Sequence, residues 1–470
     1  MSEFVGVDPA GLQELAGRLQ RLHTLLARHG PMIQQKMQKW DSGVSFAALP
    51  RLIDEALNDA RDMQARTTKA YDLAREKGWK GLGGDAFHHD RAHPPTVHLD
   101  WTTTGQSGTE ATQDAQALAG AVTSKDPEQA SAGLPALAEN LSRHLGDKAY
   151  LAAFWAEACP QALQAARALT NRAGATLFSA ESASILRALG SSLAAATQMR
   201  LGTGKERRPL LSEATRAAIT RNPDPWSVGM LFKYGPDGKI WDSRFLAEVT
   251  RSMLDARAAG EIEIPIPGST SADLLEAESR TFSGPKLRAE FDPVVAVIDR
   301  ASQNGQAARH VLGDPPSGFR YATMLVSDQW HTQGSSTEPF TRFARVPVPA
   351  RLNDQVDLSS HAADFLRAAV SAGRGATEDA SESAWSVVNI VRAASAFSTR
   401  HPGEALPCDI RRALVFTAGR YLPDLAASAA ARDAVNEARL DGAEGVWRAH
   451  LSRDDLSRFL RAAHGSSTEY

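Results

Sequence analysis

One stretch of the chain gathers side chains that could do chemistry. His89 and His93 are four residues apart, so one helical turn would bring both imidazoles to the same face. His98 or Asp100 could complete the shell, and imidazole nitrogens with a carboxylate oxygen suit zinc. Asp90 stands where a His-Glu-x-x-His protease has its glutamate base, with a side chain one methylene shorter. Such a centre would make the protein a metal-dependent enzyme. The neighbouring residues favour a plainer reading. The cluster follows a glycine-rich turn at 78–84, and Pro94 biases His93 away from helical geometry. A solvated loop carrying surface histidines is therefore the stronger expectation.

No other stretch carries a complete signature. Gly202-Thr203-Gly204-Lys205 resembles the end of a phosphate-binding loop. However, Glu206 follows where Ser or Thr would coordinate magnesium, and the upstream Gly is missing. With Arg200, Arg207 and Arg208 it reads as a basic interhelical loop. Gly-x-Ser-x-Gly and Cys-x-x-Cys patterns are absent. The members of a nucleophilic triad meet only in three dimensions, so spacing cannot assemble one. Cys159 and Cys408 lie far apart in helical patterns and read as buried small apolar residues. No catalytic residue and no cofactor are expected.

The chain has 470 residues, enough for two to four domains. Its formal net charge of −3 supplies no global drive toward nucleic acid or an anionic membrane, and neither is expected as a partner. Aromatics make up only 7% and alanine is abundant, which favours helices over sheets. No apolar run approaches a membrane span, and no positive-then-apolar leader opens the sequence. A soluble, cytoplasmic protein is the expectation.

The elements with the clearest pattern are two helices within residues 8–77. Asp8 is a good N-cap, and Pro9 follows at the first helical position, where its missing N–H costs nothing. Leu12, Leu15, Leu19, Leu22 and Leu26 recur in steps of three and four, and Ile33 and Trp40 continue the seven-residue phase. Pro31 should kink this helix or break it. A turn around Trp40-Asp41-Ser42-Gly43 follows. The second helix repeats the pattern at Leu49, Ile53, Ala56, Ala60, Met63, Thr67, Ala70 and Ala74. Two segments of nearly equal length with a short link predict an antiparallel hairpin. Its alanines would let the helices approach closely. The seam would bind the body of the same chain or a partner; two ordinary core helices of a larger α-domain fit the pattern equally well.

The rest divides as follows: a Gly/Pro/Thr-rich connection at 81–125, a helical body at 126–335, an irregular crossing at 336–357, a C-terminal helical region at 358–464 and a disordered tail at 465–470. Within the connection, 96–101 reads as extended and 102–113 as linker. Asp147, Asp242 and Asp292 each precede a strongly apolar first turn and read as helix N-caps. Helices are expected at 271–278 and 432–449 among others, with a break at Pro423. Trp155, Trp241 and Trp385 belong to apolar helical contexts, and Trp226 could be either core or surface. Trp40 and Trp79 mark the two ends of the hairpin, where an exposed indole would suit a partner contact.

Trp40 and Gly43 in the turn between two helices resemble the Trp-X-Gly helical-hairpin family of type VII (ESX) secretion, with two residues between Trp and Gly here instead of one. The resemblance covers the hairpin alone. It implies pairing into a four-helix assembly and export by a type VII system. The export signal of that family, Tyr followed four residues later by an acid, is absent; Arg75 stands four residues after Tyr71. Val5-Gly6-Val7-Asp8-Pro9, Gly146-Asp147, Phe245-Leu246-Ala247 and Leu406-Pro407 also resemble a large uncharacterised actinobacterial family of long helical proteins.

The expectation is thus an all-α protein, an N-terminal antiparallel helical hairpin followed by a large multi-helix bundle. It would act as a non-enzymatic interaction or scaffold protein associated with type VII secretion or a toxin-like cassette. Its hairpin would bind a protein partner or self-associate through Trp40, Gly43, Leu15, Leu22, Ile53 and Met63. The alternatives are a metal-dependent enzyme built on His89, His93, His98 and Asp100, and a pore-forming toxin inserting its Ala-rich central helices.

Overall fold

A computed structural model of the chain describes residues 4–40, 49–76, 96–100, 106–124, 132–170, 177–201, 208–262, 264, 288–332, 356–372, 374–431, 435–442 and 445–464. The first elements are β1 (Phe4–Val7), α1 (Pro9–Trp40), α2 (Leu49–Glu76), β2 (Val97–Asp100) and α3 (Gln106–Thr123). There follow α4 (Leu134–Arg143), α5 (Lys148–Ala168), α6 (Ala180–Gln198), β3 (Arg200–Leu201), β4 (Arg208–Pro209), α7 (Glu213–Thr220), α8 (Pro225–Tyr234) and α9 (Ser243–Ala259). Next come α10 (Pro293–Gln303), α11 (Gly305–Leu312), α12 (Gly318–Leu325), α13 (Ser359–Ala369), α14 (Glu378–Arg400), α15 (Cys408–Arg420) and α16 (Leu422–Ala430). The last are β5 (Glu437–Asp441), β6 (Val446–His450) and α17 (Arg453–His464). The protein is predominantly α-helical, as its composition implies; among the described residues the strands pair in twos. Among the described residues no helix is long and apolar enough to cross a membrane.

By internal contact the chain divides into two units, Met1–Ala119 with His144–Cys159, and Gly120–Arg143 with Pro160–Tyr470. In the first, α1 and α2 form an antiparallel hairpin. Tyr71 near the end of α2 donates its hydroxyl to Gln13 Oε1 near the start of α1 at 2.6 Å, and Leu49 at the start of α2 meets Gly30. Asp8 caps α1 as expected, accepting from the N–H groups of Ala10 and Gly11 at 3.0 and 3.1 Å. Pro31 lies inside α1, which continues past it unbroken: one lost ladder bond is tolerated while its neighbours hold. The seam is filled by Leu12, Ala16, Met63, Ala70 and Ala74, closed at one end by Val7 and Val97. Those valines sit opposite each other in the antiparallel β1–β2 pair. The extended segment at 96–101 was legible; its partner β1, some ninety residues earlier, was not.

From Gln106 the linker expected at 102–113 is replaced by α3; residues 102–105 lie outside the described residues. Gly108, Thr109 and Thr112 are weak helix formers, but Ala111, Ala115 and Leu118 fall on one side and are buried, so packing overrides propensity. Asp147 caps α5 through the N–H groups of Ala149 and Tyr150. Burial pushes its carboxyl up, but hydrogen bonds from His144, Ser107 and Tyr150 outweigh that and hold it below the ordinary value. The buried Tyr150 hydroxyl donates to Asp114 Oδ2 on α3; desolvation and then that carboxylate push the phenol far above its usual range.

In the second unit α10 packs against α8, α9 and α13. The approach to α8 is backbone-close: a Cβ on Gly229 would stand 2.5 Å from Pro293 Cα. Trp241 stacks on Phe232 with ring centroids 4.3 Å apart, and Trp226 is fully buried, so both belong to the core. Asp242 and Asp292 are N-caps as expected, and Asp224 is a third. Each also receives an arginine from another element: Arg167 on Asp224 (2.9 and 2.7 Å), Arg200 on Asp242 (2.8 Å) and Arg257 on Asp292 (3.0 Å).

Two expectations for the C-terminal part need correction. The helix foreseen at 432–449 is an antiparallel hairpin, β5 with β6, pairing Asp441 with Val446. The signal was present in Gly442 and Gly445, the latter at φ +63°, followed by the strand-forming Val446 and Trp447. Cys408 is exposed rather than buried, because it opens α15 at a surface turn; Cys159 is buried, which pushes its thiol up to about 11. The break at Pro423 is present: α15 ends at Arg420 and α16 starts at Leu422. The helix foreseen at 271–278 and the tail at 465–470 lie outside the described residues.

Two outcomes test the capping scheme. Asp292→Ala removes a buried cap and strands Arg257, so urea unfolding should give a loss of about 3 kcal/mol or more. For Asp224, burial pushes the carboxyl up, but Arg167 and Ser227 outweigh it and hold it below its ordinary value. Its stabilisation is complete above about pH 4 and is lost as pH falls through the lowered folded-state value. Asp224→Asn should therefore be less stable at neutral pH and show a shallower fall in urea midpoint between about pH 5 and about pH 2.

Candidate functional site

Apolar residues on α1 face two ways. Leu12 and Ala16 are buried against α2, with Leu19 packed beside them. Leu15, Leu22, Leu25, Met32 and Ile33 are instead 42 to 56% exposed, and Leu52 of α2 adds to them at 47%. Leu15, Leu22 and Ile33 are separated by seven and eleven residues, which at 3.6 residues per turn places them within about 20° of one line along the helix. Leu25 and Met32 lie about 80–100° to one side of it, beyond Arg18 and Lys36. That same side carries the cations, while the covered seam lies on the other: α1 contains Arg18, Arg21, Arg28, Lys36 and Lys39 against a single acid, Glu14. Glu14 is held by Arg18 one turn on. The arrangement is an open apolar row with a basic border, suited to an amphipathic helix whose flanks are acidic.

The residues singled out in sequence fall differently against this surface. Leu15 and Leu22 lie on the bare stripe. Ile53 is half-buried, and Met63, 8% exposed, belongs to the α1–α2 core. Trp40 is the last residue of α1, and Gly43 lies outside the described residues. His98 and Asp100 sit on β2, in register with Gly6 and Phe4 of β1. His89 and His93 lie outside the described residues. What sequence reasoning missed is the exposure of Leu25, Met32 and Leu52: a heptad pattern marks apolar positions without saying which of them will be covered.

A different set of metal-type ligands meets in the second unit. Asp328, His401 and Glu404 each place one ligand atom within 4.8 Å of the others. His401 follows the last turn of α14, its ring stacked on Phe397 with centroids 4.8 Å apart and its Nδ1 3.2 Å from Glu404 Oε2. Asp328 arrives from beyond α12, 73 residues earlier, so no local spacing could have flagged it. Both carboxylates are solvent-exposed, and Arg458 and Arg461 line the adjoining groove. Water and these guanidiniums compete with a cation for the same oxygens, so the grouping is explained as a surface turn held by an imidazole–carboxylate pair.

The division of α1 into covered and bare rows has a measurable consequence. Met63→Ala should cost about 2–3 kcal/mol in urea unfolding of the isolated protein, and Leu22→Ala no more than about 0.5 kcal/mol. Comparison with protein-family models, with curated proteins and with solved structures returns no match for this chain.

Proposed function

We propose that the protein is a helical interaction protein whose N-terminal hairpin captures a partner along the bare side of α1. The observation that carries this reading is the line Leu15, Leu22 and Ile33, with Leu25 and Met32 among the cations beside it, all open to solvent on a helix whose other apolar row already packs on α2. Covering such a row returns about 25 cal/mol for each Å² of apolar surface removed from water. The basic border selects the occupant. A second copy docked α1 to α1 would set five basic residues against five, which opposes association. An amphipathic helix of another protein, with acidic residues beside its apolar face, meets no such opposition. The resemblance to the Trp-X-Gly family supports the same reading, since its hairpins pair into four-helix assemblies, and it supports a setting in type VII secretion or a toxin-like cassette.

The test is a photo-crosslinking residue placed at Leu22 in the cells that make the protein, with the same residue at exposed Arg412 as control. A discrete adduct from position 22, absent at 412 and lost on adding Leu15→Glu and Ile33→Glu, is the expected result. An adduct of twice the chain mass, matched by a dimer in sedimentation, would replace the foreign helix with a second copy. No adduct specific to position 22, together with a monomer in sedimentation, would overturn the reading.

A further inference from the structure

Three polar residues from three helices line up where the sequence offers no motif. Ser243 is the first residue of α9, His310 lies on α11, and Glu382 lies on α14. Ser243 Oγ is 3.4 Å from His310 Nε2, and His310 Nδ1 is 2.8 Å from Glu382 Oε1. The carboxylate can only accept, so it fixes the proton on Nδ1 and leaves the Nε2 lone pair facing the hydroxyl. That is the tautomer a general base needs to take a proton from serine. The His310 and Glu382 side chains are 12% and 19% exposed, so the pair is largely shielded, and Glu382 Oε2 is buried with no hydrogen-bond partner among the described residues.

The serine end opens onto a surface groove of about 510 Å³, whose walls include Lys239, Trp241, Ser243, Asn304, Gly305 and Gln306. Gln306, one turn before His310 on α11, also lines the groove, and Ser243 joins the groove wall to the imidazole. Two helices begin at the groove, α9 at Ser243 and α11 at Gly305. The N-cap side chains of Asp242 and Asn304 take the N–H groups of Phe245 and Ala307. A helix's earlier first-turn N–H groups have no intrahelical acceptor, so the starts of α9 and α11 bring such groups, and the positive ends of two helix dipoles, to the groove wall. Both ends are also fixed. Asp242 is held by Arg200 and by Thr197, Asn304 ties the carbonyls of Gly238 and Trp241, and Arg251 donates to the His310 carbonyl.

We propose that Ser243, His310 and Glu382 form a hydrolytic relay that cleaves small carboxylic esters with polar or anionic acyl groups bound in this groove. Ser243 Oγ forms a bond to the ester carbonyl carbon as its proton passes to His310 Nε2, and the carbonyl π pair moves onto oxygen beside the helix N-termini. Collapse breaks the bond to the alcohol, which leaves with the proton from His310. Water then attacks the acyl-serine by the same proton route, releasing the carboxylic acid and restoring the hydroxyl. Glu382 is a positioning residue that keeps the imidazole in register. A purely structural role would need the His310–Glu382 pair as an interhelical tie but would not need a serine on the groove wall. The relay stands independently of the hairpin reading.

The experiment treats the full chain with a tagged fluorophosphonate and locates the adduct by mass spectrometry, alongside hydrolysis of p-nitrophenyl acetate. Expected is a covalent adduct on Ser243 and ester turnover lost in Ser243→Ala. Both rates should fall about a hundredfold in His310→Gln. Glu382→Gln should slow labelling, and Glu382→Asp should recover part of it, a rescue that a merely structural tie would not give. Circular dichroism of each variant checks that it is folded. A folded wild-type chain with no adduct on Ser243 overturns the proposal, whatever the variants do. So does labelling of folded His310→Gln at the wild-type rate, or ester turnover unchanged in Ser243→Ala.

Discussion

An aspartate that ends one helix and receives an arginine from another element is the contact on which the second unit depends. Asp224, Asp242 and Asp292 each satisfy first-turn N–H groups and accept a guanidinium at the same time. A capping carboxylate fixes where a helix begins; the arginine fixes where that beginning lies relative to a second element. Two of these arginines also lie over an indole, Arg167 over Trp226 at 5.4 Å and Arg257 over Trp330 at 4.7 Å. The charge is thus kept between an acid and an aromatic face, which limits the cost of drawing it out of water.

The other ends of the helices are met by the same means. Arg300 of α10 donates to the carbonyls of Phe232, Lys233 and Gly235, the acceptors that the end of α8 leaves unpaired. Gln303 takes the Gly238 N–H, and Asn304 the carbonyls of Gly238 and Trp241. A Cβ on Gly238 would fall 1.8 Å from the Arg300 carbonyl, so only glycine lets this loop lie against α10. One knot of polar contacts thereby sets the ends of α8, α9, α10 and α11, and with them the geometry around Ser243 and His310.

Much of this was written locally in the chain. Asp8-Pro9, the leucine spacing of α1 and the alanines of α2 specify a hairpin because capping and helical periodicity act over a few residues. Asp147, Asp242 and Asp292 were readable as caps for the same reason. What escaped was carried by distance or by competition. The pairing of β1 with β2 and the approach of Ser243, His310 and Glu382, separated by 67 and 72 residues, leave no local trace. The helix α3 formed against its own propensities because a buried apolar side outweighed them. The β5–β6 hairpin was hidden by alanines and arginines that suit a helix, although its glycines marked the turn. The hairpin's exposed row was visible only as part of a broader apolar pattern.

The two cysteines differ in a way that makes the chain easy to observe. Cys159 is enclosed and its thiol is held protonated by burial, while Cys408 stands open at the start of α15. At neutral pH a thiol-selective dye would therefore find a single address in the native protein, in the second unit, without any engineered site. Unfolding adds a second address by exposing Cys159, so the appearance of a second label reports how often the structure around α5 opens.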